Sequence, residues 1–316
     1  MRVALIGYGS VAQAFVALIT EQRKRFPFRI AGVHTLRHGT AYGSPLEFGP
    51  AAASAGEFLD KAEAEVLVEL SSLEPETGEP ALTHIREAFA RGMHVVTANK
   101  GPLAHAFGAL RAEAAARGVQ FRFESTVMDG APVFNMVRNC LPGVRIVGFS
   151  GALNSTTKII LQAMAQERTF ADGVTEAQEL GITEADPSDD VDGWDSAVKA
   201  AALANVLMDA GVRPQDVERE GIGSLTAEDV RAAAEAGEIY VLISRAETLP
   251  DGRVKMRVKP ERLPRTDPLA TAQGTTNILL LHTDLMGTVG TISIEPGVAQ
   301  TAYGLLSDLV DITRTL

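Results

Sequence analysis

Val3 to Ile6 is a short apolar run that breaks at Gly7, and from Val11 to Ile19 the apolar positions recur at helical spacing. A run apolar on both faces, a glycine turn and an amphipathic segment predict strand, turn and helix in that order. Arg29 to His34, following a basic helix end and Pro27, supplies a second buried strand and completes a βαβ unit. Val66 to Leu70 and His94 to Thr97 repeat the apolar theme. Between and after them, Ala81 to Arg91 and Ala104 to Arg117 read as helices closed by Gly92 and Gly118, and Gln120 to Phe123 adds a strand. Strands alternating with helices over residues 1–130 predict a doubly wound parallel sheet.

The pattern then changes. Arg145 to Ala152 reads as a strand, Thr156 to Ala165 and Thr175 to Leu180 as helices, and Asp195 to Ala210 as a long helix closed by Gly211. Ile239 to Ala246 and Val254 to Val258 are strands joined through Asp251-Gly252, a pair that favours tight hairpins. Thr276 to Asp284 and Gly290 to Ile294 continue the β-rich part. Residues 131–294 are therefore expected to form a second, α+β domain for substrate binding and dimerisation, its antiparallel sheet offering a subunit interface. The helical segment from Ala299 to Leu316, within 295–316, is expected to complete the first domain at 1–130.

Composition narrows the function classes. With 46% apolar and 22% charged residues the chain builds a packed core. Its length of 316 residues favours two domains. A formal charge of −11 without a long Lys/Arg run opposes nucleic-acid binding. The apolar start is too short for a signal peptide or membrane span. Cys140 is the single cysteine, so no internal disulfide forms, which fits a cytoplasmic protein; it is expected to be a small buried group beside a turn.

Gly7, Gly9 and Ala12 form Gly-x-Gly-x-x-Ala directly after the first strand, where the backbone N–H groups of Ser10, Val11 and Ala12 can hold a pyrophosphate. The acid that would bind a ribose 2′-hydroxyl is missing after the second strand. Arg37 stands there instead, either meeting the 2′-phosphate of NADP(H) or solvated on a loop, and NADP(H) is favoured over NAD(H). Asn99 and Lys100, in Thr97-Ala98-Asn99-Lys100 before Gly101-Pro102, stand past a strand's carboxyl end, the ligand side of an open α/β sheet. Ser71 takes the corresponding place after the third strand. In the acidic stretch from Glu184 to Asp195, Asp195 and Lys199 are four residues apart and share a helix face. Such a pair suits a cationic amino-acid substrate and proton transfer; a calcium-like loop or a solvated helix start capped by Asp192 or Asp195 is the plainer reading, although EF-hand spacing is absent.

Taken together, Gly7 to Ala12, Thr97 to Lys100, Glu124-Ser125-Thr126-Val127, Gly151 to Thr157, Glu184 through Lys199 and Glu295 to Ala302 resemble homoserine dehydrogenase over nearly the whole chain. The resemblance implies a Rossmann-like first domain, NAD(P)-dependent interconversion of L-aspartate 4-semialdehyde and L-homoserine in amino-acid biosynthesis, and a homodimer. It implies Lys100 and Lys199 in proton transfer, Glu184, Asp190 and Asp195 in the substrate pocket, and Asn99 beside the nicotinamide. Gly297 lies in the family's late cofactor-side turn. A sodium ion is implied at Glu124 with the carbonyls of Val127, Asp129 and Ala131, hard oxygen donors suited to it; an ordinary capped or exposed Glu124 is the alternative. The chain departs from the family at Met128-Asp129, where Gly-Gly is usual, at Ser155, where glycine is usual, and at Lys158, where asparagine is usual. Ending at Leu316, it is expected to lack the regulatory domain of longer members and threonine feedback through it. Two other functions stay open: a paralogous dehydrogenase of a related amino or hydroxy acid, and a non-catalytic NADP-binding regulator.

Overall fold

The computed structural model describes residues 1–183 and 185–315. Contacts divide the chain into two compact units, Met1–Met136 together with the segment from Gly297 onward, and Val137–Pro296.

The first unit runs β1 (Arg2–Ile6), α1 (Ser10–Glu21), β2 (Arg29–Thr35), β3 (Gly39–Tyr42), α2 (Ala55–Ala62), β4 (Val66–Glu69), α3 (Ala81–Ala90), β5 (His94–Thr97), α4 (Gly101–Ala116) and β6 (Phe121–Arg122), and α5 (Phe134–Cys140) begins in it. The described strands form one sheet in the order β3-β2-β1-β4-β5-β6. All neighbours are parallel except β2 and β3. The reversal comes from a tight turn at Leu36-Arg37-His38, which leaves no room for a crossover helix. Its exit is a glycine of necessity: Gly39 has φ +85°, and a Cβ there would lie 1.9 Å from the Gly49 carbonyl oxygen. The strand order reverses direction between β1 and β4, which opens the crevice where open α/β sheets bind ligands. Beneath it, Val3, Leu5, Phe15, Ile19, Val33, Val68 and Val96 pack against Leu305, Leu309 and Ile312 of the C-terminal helix, Val298–Thr315.

The second unit contains β7 (Ile146–Ala152), α6 (Ser155–Ala165), α7 (Phe170–Glu179), α8 (Ser188–Val191), α9 (Trp194–Met208), β8 (Glu218–Arg219), α10 (Ala227–Glu235), β9 (Glu238–Thr248), β10 (Val254–Pro264), β11 (Asn277–Thr283) and β12 (Thr288–Ser293). Its sheet has the order β12-β11-β7-β9-β10-β8, antiparallel except for the short pairing of β8 with β10. The hairpin at Asp251-Gly252 closes through Leu249 N–H to Arg253 C=O at 2.8 Å, and pairing continues to Glu238 and Pro264. Helix α9 packs across β7, β9 and β10. Its buried face is mostly alanine (Ala197, Ala200, Ala201, Ala202, Ala204), so the helix sits close to the strands. Cys140, expected to be buried beside a turn, instead ends α5 and is exposed, because the short helix turns that residue away from the core.

Candidate active site

In the first unit Gly7 to Ala12, Arg37, Ser71, Asn99 and Lys100 follow the carboxyl ends of β1, β2, β4 and β5. Gly7 adopts φ +99°, and a Cβ on it would lie 2.2 Å from the Leu70 carbonyl oxygen, so the close passage of β1 and β4 demands glycine. Its N–H donates to His34 C=O at 2.9 Å, which ties the loop to β2. Gly9 is the N-cap of α1, and a Cβ there would meet nothing within 4 Å. That helix starts without a side-chain cap and without an acidic residue in its first turn. The open space at Gly9, beside an uncapped helix start free of acidic side chains, suits an anionic group such as a pyrophosphate. Ala12 itself is buried in the core below. Arg37 lies exposed on the turn after β2, beside His38, whose N–H is held by Thr35 Oγ1 at 2.7 Å.

The ends of β4 and β5 are joined by a polar network built on Glu69, which sequence reading did not single out. The Glu69 side chain is fully buried. Its Oε1 accepts from Ser71 N at 3.0 Å and from Ser71 Oγ, and faces His84 Nδ1 at 3.3 Å; its Oε2 accepts from Thr97 Oγ1 at 3.2 Å. Asn99, expected beside the nicotinamide, is buried and cross-links the loops: Nδ2 donates to Ser71 O and Ser72 O at 3.2 and 3.3 Å, and Oδ1 accepts from Gly101 N at 3.0 Å. Lys100 follows as the N-cap of α4, half-buried.

Glu124 is 2% exposed, and its carboxylate accepts the amides of Val133, Phe134 and Asn135 at 2.6, 2.9 and 2.6 Å, capping the start of α5. Its own N–H donates to buried Asp308 of the C-terminal helix at 2.7 Å, an anchor the sequence reading missed. Val127 is buried, Asp129 takes φ +61°, and Ala131 N–H closes a turn onto Met128 C=O. Gly297 is exposed ahead of the C-terminal helix, its N–H held by Gln300 Oε1 at 3.0 Å.

In the second unit the structure brings together Asp190, Asp195 and Lys199. Lys199 Nζ stands 2.8 Å from Asp195 Oδ2 and donates to Leu153 O at 2.8 Å; the two side chains are 16% and 17% exposed. Asn154, the N-cap of α6, sits between the acids: Nδ2 reaches Asp190 Oδ1 at 2.5 Å and Asp195 Oδ2 at 3.1 Å, while Oδ1 accepts from Thr157 N at 2.9 Å. Asp190 Oδ2 also accepts from Thr156 Oγ1 and Thr183 Oγ1 at 2.8 and 3.0 Å. Neither Asp192 nor Asp195 is the N-cap of a helix. Helix α9 is N-capped by Gly193, and Asp192 terminates α8. Glu184 lies outside the described residues. Lys158 is buried elsewhere in the unit, its Nζ donating to Thr276 O and, at 3.0 Å, to Asn277 Oδ1. Among the described residues no three His, Cys, Asp or Glu side chains converge as a metal site, and no helix is long and apolar enough to cross a membrane.

What this arrangement can do chemically is bounded by its groups. An ammonium ion-paired on a half-buried helix face, with carboxylates tied to it through one amide, can orient a cationic substrate and exchange a proton. The glycine loop can hold a dinucleotide.

The family model for homoserine dehydrogenase matches residues 132–310, and the model for that family's NAD-binding domain matches residues 7–124. The chain is 35% identical to the NAD(+)-dependent homoserine dehydrogenase of Pseudomonas canavaninivorans, covering 99% of this chain and 96% of that protein. It is similar to the crystal structure of a putative homoserine dehydrogenase from Archaeoglobus fulgidus, with TM-score 0.88, 32% identity and 99% of each chain covered. A hyperthermophilic archaeal homoserine dehydrogenase in complex with NADPH superimposes with TM-score 0.84 at 27% identity, over 100% of this chain and 98% of that one.

Proposed function

This chain belongs to the homoserine dehydrogenase family of NAD(P)-dependent oxidoreductases, and from that premise we propose that it interconverts L-aspartate 4-semialdehyde and L-homoserine. The observation that carries the substrate half of the reading is the chain of contacts Lys199–Asp195–Asn154–Asp190. The nicotinamide, when bound, supplies or takes up the hydride. Lys199, held by Asp195 and the Leu153 carbonyl, presents an ammonium whose N–H can stabilise the negative charge that develops on the aldehyde oxygen and then donate a proton to it. In the reverse direction a neutral lysine accepts the hydroxyl proton. Lys100 is the second lysine assigned to this proton transfer. Asp190 and Asp195, with Glu184, bind the substrate ammonium and fix its orientation.

On the cofactor side, Gly7, Gly9, Ser10, Val11 and Ala12 cradle the pyrophosphate, Ser71, Asn99 and Gly297 line the same ligand, and Arg37 meets a 2′-phosphate, which favours NADP(H). The Glu124 carboxylate and the carbonyls of Val127, Asp129 and Ala131 are donors of the right hardness for sodium. The three amides on Glu124 hold that carboxylate in one orientation. The second unit's sheet, with Ile292 of β12 exposed, serves as the interface of a homodimer.

The test is spectrophotometric oxidation of homoserine with NADP and with NAD. Wild-type protein is expected to turn over with both and to prefer NADP. Lys199→Met, which keeps most of the apolar stem and loses the ammonium, is expected to lower kcat by about 10²- to 10⁴-fold; turnover equal to wild type would remove Lys199 from the proton path.

A further inference from the structure

A fully buried carboxylate at the end of an apolar strand is costly unless its hydrogen bonds do something a neutral side chain would not. The strand β4 is Val66-Leu67-Val68-Glu69, buried throughout. Every donor on Glu69 described above comes from a segment that ends at the ligand side of the sheet or packs beside it: Ser71 on the loop after β4, Thr97 at the end of β5, and His84 on α3. Thr97 Oγ1 passes the constraint on by accepting from Asn99 N at 2.9 Å, and Asn99 returns it by donating to the Ser71 and Ser72 carbonyls. The next residue is Lys100. Leu70, between Glu69 and Ser71, is the residue whose carbonyl abuts Gly7.

We propose that Glu69 is a positioning residue for hydride transfer: its carboxylate locks the loops carrying Ser71 and Asn99-Lys100 in one register and so fixes where the nicotinamide end of the cofactor rests. The role rests on the dehydrogenase reading above. A glutamine at this position keeps the shape and replaces one acceptor by a donor: toward Ser71 it meets a backbone N–H that cannot turn away, and toward Thr97 it makes the hydroxyl, which already accepts from Asn99 N, give up the carboxylate and donate only to the residue-69 carbonyl. Either way the charged anchor between the two loops is lost and one of its links is broken or reversed, and a displacement of about 1 Å at a reacting centre can lower the rate about 10²-fold.

The experiment compares wild type with Glu69→Gln in the reduction of aspartate semialdehyde, using cofactor carrying hydrogen or deuterium at the transferred position. Glu69→Gln is expected to lower kcat about tenfold to 10²-fold and to raise the primary isotope effect on kcat, because the hydride step becomes slower relative to the steps around it. A merely structural role lowers the fraction of active protein and leaves the isotope effect of the remainder unchanged; that result, or an unaltered kcat, overturns the proposal. Should Glu69→Gln fail to fold, Thr97→Val removes one donor at nearly constant volume and is read in the same way. Wild-type protein inactive on homoserine with both cofactors overturns the functional reading and this proposal with it. Active wild type with an unperturbed variant overturns this proposal alone.

Discussion

Replacing Glu124 by glutamine separates what its carboxylate does for the fold from what it would do for the proposed sodium ion. The side chain is 2% exposed and accepts three backbone amides at 2.6–2.9 Å. A glutamine oxygen placed where Oε1 stands keeps the amides of Val133 and Phe134 and turns an NH₂ toward Asn135 N–H. One hydrogen bond to a charged acceptor is lost and one donor is left facing another donor, a cost of about 2–4 kcal/mol. At about 1.4 kcal/mol per tenfold, amide hydrogen exchange across 133–135 is expected to speed up roughly 10²-fold, with smaller changes in the sheet of the second unit. Mass spectrometry on peptides covering 124–140 reads this directly. Run in sodium chloride and in choline chloride at equal ionic strength, the wild type is expected to be better protected in sodium and Glu124→Gln to show no difference. Exchange within about twofold of wild type at 133–135 would refute the capping argument, since all three of those amides donate to this one carboxylate.

Two further outcomes follow from the geometry. Gly7→Ala places a methyl 2.2 Å from the Leu70 carbonyl oxygen at φ +99°, so unfolding is expected at lower temperature, with about 1–3 kcal/mol lost to backbone conformation alone, and NADPH titration is expected to show weakened binding; an unchanged melting midpoint would mean that the β1–β4 approach relaxes freely. The second concerns pH. Burial lowers the pKa of His34, helped by the nearby His84; burial also lowers that of His94, helped by Arg122, and that of His282, helped by Arg245. These imidazoles bind protons more readily in the unfolded chain than in the folded one. Their contribution to stability is therefore complete above the ordinary histidine value of about 6.5 and is lost as pH falls from there toward the folded pKa values. Melting midpoints measured from neutral pH downward are expected to fall below pH 6.5, and the fall should shrink when His34 is replaced by glutamine.

The parts of the site that were legible in the sequence are those where a local rule leaves few choices. A glycine between a buried strand and a helix, as at Gly7 and Gly9, announces a turn over a helix N-terminus whatever surrounds it. Asp195 and Lys199 meet because four residues make about one helical turn. The pairing of β9 with β10 follows from Asp251-Gly252 between alternating segments. Cys140 shows the limit of such rules: an apolar prior predicted burial, and only the short helix α5 decides which way that residue faces.

The chain order of polar and apolar residues by itself determined that strands and helices alternate, that the glycine loop follows β1, and that acids and a lysine share the region of α8 and α9, because these depend on neighbours within a few positions. Only the tertiary structure decided that β3 runs antiparallel at the sheet edge, that Asn154 stands between Asp190 and Asp195, that Asn99 binds the carbonyls of Ser71 and Ser72, and that Glu69 and Glu124 are buried among hydrogen-bond donors. Each of those features joins segments far apart in the chain. Their partners are chosen by strand register and helix packing, which no window of local sequence contains.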